Sequence, residues 1–261
     1  MKRPKSLEEL IEHGKLWSEE TRTKDSSLKA ISFGLPQIDN SLVHGGLALG
    51  ALHEFCCEDT NTPLCLLSAI TARAIKESPK KEAKYIIWIG KDCWPSPLFL
   101  RSLVNHEEFK YFLKHALFID LHNDEKILWS IETALRCPAV LIVVAHLYKI
   151  SFSISRRLSQ AAKSTNALGL FVIDKKFSHA PSSALSRWQI VPSPSASPYP
   201  RFELSLLKQK GGFPNLAPLL IEFVEDGKGV SLSIPSDVVD SSHTTEVEES
   251  WEHAHLRTAK R

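Results

Sequence analysis

Five short apolar runs recur between residues 50 and 174, separated by stretches with helical spacing. The runs are GALHEFC (50–56), KYIIWIG (84–90), ALFIDL (116–121), AVLIVVA (139–145) and LGLFVID (168–174). Several are apolar almost without interruption, which suits strands buried on both faces of a parallel sheet. Helical candidates lie between them at 63–77, 96–104, 124–136 and 152–164. In the last, Ile154, Leu158, Ala161 and Ala162 share one face, with Arg156 and Arg157 elsewhere. This alternation predicts an α/β domain with a mostly parallel sheet flanked by helices. After Pro181 the pattern changes: RWQIVPS, RFELSLLKQK, APLLIEFV and GVSLSI are separated by PSASPYP, GGFPN and EDGKG, with no helical stretch. C-terminal antiparallel hairpins extending one edge of the sheet are the expectation.

The two ends read differently from this core. SLEELIEHGKLWSEETR has the pattern of an amphipathic helix, with Ser6 and Glu9 at capping-box spacing and Leu7, Leu10, Ile11 and Trp17 on one face. From about residue 236 the chain is rich in Ser, Thr, Glu and His and poor in aliphatics, the composition of a segment disordered in isolation. The predicted organisation is an N-terminal helical extension (1–27), a core domain (28–235) and a tail (236–261).

Charge and cysteine content restrict the function classes. Net charge is +2, from 32 basic and 30 acidic side chains, which argues against strong nucleic-acid binding or membrane attachment. No run reaches the roughly 18–20 apolar residues of a membrane span, and MKRPKSLEEL lacks the apolar stretch of a secretory signal. Cysteines 56, 57, 65, 93 and 137 form no CxxC pair, so reduced thiols in a cytosol are expected rather than a disulfide framework.

The stretch HGGLALGALHEFCCEDTNTPLCLLSAI (44–70) has the layout of a phosphate-binding loop: glycine turn, strand, loop, apolar helix. Such a loop needs glycines that turn backbone N–H groups toward phosphates, a lysine, and a Ser or Thr hydroxyl for Mg²⁺. The segment CCEDTNTPLC (56–65) has no glycine, Pro63 in place of the lysine and Leu64 in place of the hydroxyl. Pro63 suits a first helical position, with Thr60 or Thr62 as its cap, and Glu58 and Asp59 would repel a triphosphate. A charge-assisted hydrogen bond is worth about 1.5–3 kcal/mol, so physiological use of ATP is not expected and no cofactor is assigned.

GGLALGALHEFCCEDTNTPLCLL is similar to the segment leading into and through the ATP-binding loop of RecA, with Gly45, Gly46, Gly50 and Glu54 in register. The degenerate loop positions are then Cys57, Thr62, Pro63 and Leu64. WIGKDCWPSPLFLRSL (88–103) resembles the segment carrying the RecA catalytic glutamate, the matching residue being Asp92. VLIVVAHL resembles the Walker-B strand with Ala145 at the aspartate position. ILWSIETALRC, RRLSQAAKSTNALGLFVI and ELSLLKQKGG resemble the RecA-like ImuA family of translesion-synthesis accessory proteins, also labelled SulA-like, over residues 28 to 225. The resemblance implies a RecA-like fold with a degenerate ATP site and a non-catalytic adaptor role in SOS-induced, error-prone translesion DNA synthesis. It implies as partners an ImuB-like Y-family polymerase homologue, an error-prone C-family DNA polymerase and RecA as a further candidate, in the bacterial cytoplasm and at the nucleoid after damage. The alternatives are an ATP-dependent RecA-like DNA-binding protein, or a direct modulator of RecA filaments.

Each remaining candidate residue has two readings. Lys208 and Lys210, two apart on one strand, either contact a partner or DNA or form a solvated strand end. Arg156, Arg157 and Lys163 either meet DNA phosphates or line a solvated helix face. Asp92 is either a relic acid or a loop residue, and His53, Cys56 and Cys57 suggest zinc less than packing, because no second ligand cluster accompanies them. Trp88, Trp94 and Trp129 are expected in the core, whereas Trp251, alone in the polar tail, is a candidate anchor for a partner pocket.

Overall fold

The apolar runs become the central strands of one sheet. The structure, a computed structural model, describes residues 28–58, 61–77, 84–212, 214–227 and 229–235. The expected N-terminal helix, the tail with Trp251, and loop residues 59 and 60 lie outside the described residues. The elements in chain order are β1 (Ala30–Ile31), α1 (Pro36–Asp39), β2 (Leu47–Ala48), β3 (Leu52–Cys57), α2 (Asn61–Glu77), β4 (Tyr85–Ile89), α3 (Pro97–Leu103), α4 (His106–His115) and β5 (Ala116–Ile119). They continue with α5 (Asp124–Leu135), β6 (Val140–Leu147), α6 (Phe152–Thr165), β7 (Leu168–Asp174), β8 (Ser186–Ser193), β9 (Arg201–Gln209), β10 (Leu219–Asp226) and β11 (Gly229–Ser233). Strands β1 and β2 form a small antiparallel pair. The other nine form one sheet in the order β11-β10-β9-β8-β3-β7-β6-β4-β5.

Strands β8, β3, β7, β6, β4 and β5 are mutually parallel, and β9, β10 and β11 continue the sheet antiparallel. The fold is therefore α/β, a mostly parallel sheet flanked by helices with antiparallel C-terminal strands. Side-chain alternation along β3 divides the core. Phe55 and Cys57 pack with α2, α3 and the inner residues of β8–β11, whereas Leu52 and Cys56 pack with α5 and α6. Gly50 turns the chain into β3 at φ +72°, donating its N–H to the Ala167 carbonyl, a backbone conformation that favours glycine.

Strand β8 opens the expected set of antiparallel hairpins by pairing with β9, and its other edge runs parallel to β3, a pairing that the pattern of apolar runs did not indicate. The crossover from β7, residues 175–185, returns along the sheet with one short 3₁₀ turn (Lys175–Phe177) and no α-helix, so periodicity gave no sign of it. Helix α2 begins at Asn61, which puts Thr62 inside the first turn and not at the cap. Pro63 is its third residue, still among the first four N–H positions that have no intrahelical partner.

Helix α4 was not expected at all, although Asn105 and Glu108 form a complete capping box at its start. Of the three tryptophans expected in the core, Trp88 is buried, but Trp94 is 40% and Trp129 69% exposed. Ile127, Ile131, Ala134 and Leu135 form the buried face of α5, and Trp129 projects from the opposite side.

Candidate functional site

In an open parallel sheet, ligands bind at the carboxyl ends of strands, where neighbouring connections leave on opposite faces. Strands β3 and β7 meet this condition: α2 follows β3 on one face, and the chain following β7 crosses on the other, where Ala184 packs with α5 and α6. Cys57 and Asp174 end the two strands side by side. The junction is filled by apolar side chains. Cys57, Pro63 and Leu64 are buried, and Leu64 belongs to the core beneath α2. Ala145 on β6 is fully buried between Ile89 of β4 and Phe171 of β7.

Several polar groups at this edge are held locally. Glu58 accepts a hydrogen bond from the Lys175 ammonium at 2.8 Å, which raises the lysine pKa and neutralises both side chains. Asp174 accepts the Lys176 N–H at 2.8 Å and so starts the 3₁₀ turn. Asp92 is exposed in a turn at φ +52°, a left-handed conformation that aspartate tolerates better than most residues. His146 is partly buried, and burial lowers its pKa against the opposing effects of its bond to the Lys91 backbone and of Asp174 and Asp92. A Cβ on Gly90 would lie 3.0 Å from the His146 carbonyl, so β4 and β6 close tightly here.

Burial pushes the Cys56 and Cys93 thiols up to about 12, which keeps both protonated and weakly nucleophilic at neutral pH. His53 lies inside the core, its ring nitrogens bonded to Ser186 Oγ at 2.7 Å and the Ala48 carbonyl at 3.2 Å. Among the described residues, no three His, Cys, Asp or Glu side chains come together in a group that could hold a metal ion.

The remaining sequence candidates do not converge on this edge. Lys208 lies opposite Arg187 on β8, and its ammonium donates to the Ser182 carbonyl at 2.5 Å. Burial lowers its pKa, assisted by Arg187 and Lys210 and opposed by Glu54. Lys210 is exposed just beyond β9, at the amino-terminal end of β8. Arg157 pairs with Glu132 of α5 at 3.0 Å, and Arg136 holds the same carboxylate, so both guanidiniums are engaged with one acidic side chain, with Arg156 exposed beside them.

The structure also reveals a buried polar network that the spacing of residues did not signal. Glu54 accepts from Ser182 Oγ at 2.6 Å and from Arg187 Nε at 2.7 Å. Arg187 donates further to the carbonyls of Ser178 and Ala180. A second unsignalled feature is apolar surface: Tyr85, Leu117, Phe118 and Trp129 are all at least 40% exposed around the edge strand β5.

Fold and site together define an α/β protein whose β3–α2 junction, at a switch point of the parallel sheet, is filled by apolar side chains. No protein-family model matches the chain, and no curated protein matches it. No helix among the described residues is long and apolar enough to cross a membrane.

Proposed function

We propose that this chain is a non-catalytic adaptor of damage-induced, error-prone translesion DNA synthesis, acting through protein contacts on a RecA-like fold. One observation carries the reading: Pro63, Leu64 and Ala145, which the resemblance aligns with cation, hydroxyl and carboxylate, are all buried. Restoring those groups would mean burying charge in a packed core, so the frame serves to build the domain. The partners are an ImuB-like Y-family polymerase homologue and an error-prone C-family polymerase, with RecA a further candidate. The setting is the bacterial cytoplasm, at the nucleoid after damage. DNA contact is weak or indirect, in keeping with the net charge of +2. The apolar depression bordered by Tyr85, Leu117, Ile119 and Trp129 beside β5 supports an interaction role, since exposed apolar surface of this kind marks contact sites.

The test is affinity capture of the full chain from DNA-damaged cells, with calorimetry against Mg²⁺–ATP alongside. Both polymerase partners should be recovered and no heat of ATP binding seen. Recovery of neither polymerase would overturn the adaptor reading. Micromolar ATP affinity would favour an ATP-dependent protein instead.

A further inference from the structure

At the opposite edge of the sheet from the emptied loop lies a cavity of about 270 Å³. It opens where the chain enters β3, beside the end of α6 and the turn after β9. Leu28, Val43, Leu49 and Leu185 supply aliphatic walls, and Lys163 and Lys210 stand at the rim. None of its described lining residues carries a carboxylate. Both lysines are exposed, and among the described residues neither forms a salt bridge. An apolar cavity of ~150 Å³ already accepts benzene, so this one has room for a single large aromatic side chain. Its chemistry asks for an aromatic group flanked by carboxylates.

The chain contains such a segment. Glu248-Glu249-Ser250-Trp251-Glu252 sets one indole among three carboxylates, with Glu246 just before them. The direction and reach of the chain both fit. Strand β11 runs antiparallel to β3, toward the edge that bears the cavity. The offset is four strand spacings across the sheet, roughly 19 Å, and about eight residues along it, roughly 26 Å. Sixteen steps separate residue 235 from residue 251, enough to span up to ~55 Å of extended chain.

We propose that residues 248–252 dock in this cavity in cis, the Trp251 indole between the aliphatic walls and the flanking carboxylates against Lys163 and Lys210. Tethering makes the contact intramolecular, so modest rim pairs suffice to hold it. Those pairs are solvent-exposed, so salt weakens the docking. The inference stands apart from the polymerase-adaptor reading and needs no polymerase to test.

The experiment uses the full chain labelled with 5-fluorotryptophan, the residue 251 resonance being assigned by its loss in Trp251→Phe. The expected result is a Trp251 resonance displaced from its solvent-exposed position and shielded several-fold from acrylamide, unchanged on dilution. It should return to the exposed position in Lys163→Glu/Lys210→Glu and at high salt. Circular dichroism should show that double variant still folded, because both lysines are at the surface. A Trp251 resonance at the exposed position in the unaltered chain would overturn the proposal, as would a shift insensitive to the lysine pair. A shift that disappears on dilution would also overturn it, by assigning the cavity to the tail of a second copy.

Discussion

Glu54 on β3 and Arg187 on β8 lie directly opposite each other on adjacent parallel strands, and their charged ends meet at 2.6 Å with side chains 0% and 4% exposed. The pair does more than link two strands. Through Ser182 and the carbonyls of Ser178 and Ala180 it fastens down a crossover that has no α-helix to pack it. Lys208 completes the fastening from β9 by donating to the Ser182 carbonyl.

Removing one member leaves a buried, uncompensated charge. Glu54→Ala and Arg187→Ala should each cost about 3–5 kcal/mol. The double variant should cost less than the sum by more than about 1 kcal/mol, because the two share one network. Urea unfolding of the four proteins checks this. Additive losses would show that the crossover is held by other contacts.

His53 gives the protein a defined pH response. Burial lowers its pKa from 6.5 to about 4, against the opposing bond to the Ala48 carbonyl. Above pH 6.5 the ring is neutral both folded and unfolded, and stability from this group is constant. Between pH 6.5 and about 4 the unfolded chain takes up a proton that the folded chain refuses, so stability falls as pH falls. The full loss is about 3 kcal/mol at 1.36 kcal/mol per pH unit. Urea midpoints across this window should decline for the unaltered protein and stay flatter for His53→Gln. Equal slopes would assign the acid response to other groups.

The parallel core was legible because buried parallel strands leave a plain mark: runs such as AVLIVVA and LGLFVID have few other uses in a chain with helical spacing between them. The apolar start of α2 was legible for a similar reason, since proline and leucine at residues 63 and 64 announce packing at a helix start. The parallel pairing of β8 was not, because a crossover without a helix carries no periodicity and depends on Glu54 and Arg187, 133 residues apart. Helix α4 could have been found from Asn105 and Glu108, a local signal, whereas the exposure of Trp129 depends on which face of α5 meets the sheet. A tryptophan inside an apolar pattern reads as core until that face is fixed.

Ala145 sets a limit on reviving the site. Its Cβ is fully enclosed by the apolar layer under α5 and α6. Ala145→Asp would put a carboxylate there without a cation or N–H partner, and an unpaired buried charge costs several kcal/mol. The expected outcome is loss of at least about 3 kcal/mol by urea unfolding, with no gain of ATP affinity in calorimetry. A stable, ATP-binding Ala145→Asp protein would show that the frame still holds a working site and would count against the adaptor reading.

Trp129 separates stability from contact. Its indole is 69% exposed and borders a depression of about 330 Å³ with Tyr85, Leu117 and Ile119, beside β5, the last strand of the sheet among the described residues. An exposed side chain that supports little packing contributes little to folding, so Trp129→Ser should change unfolding free energy by no more than about 0.5 kcal/mol. Large aromatic side chains at contact sites commonly cost about 2 kcal/mol or more when truncated, or roughly 30-fold in affinity. Capture of the proposed polymerase partners by Trp129→Ser should therefore fall by at least tenfold while its melting curve is retained. Undiminished capture would move the contact surface away from β5, and a large stability loss would show that the indole supports the fold.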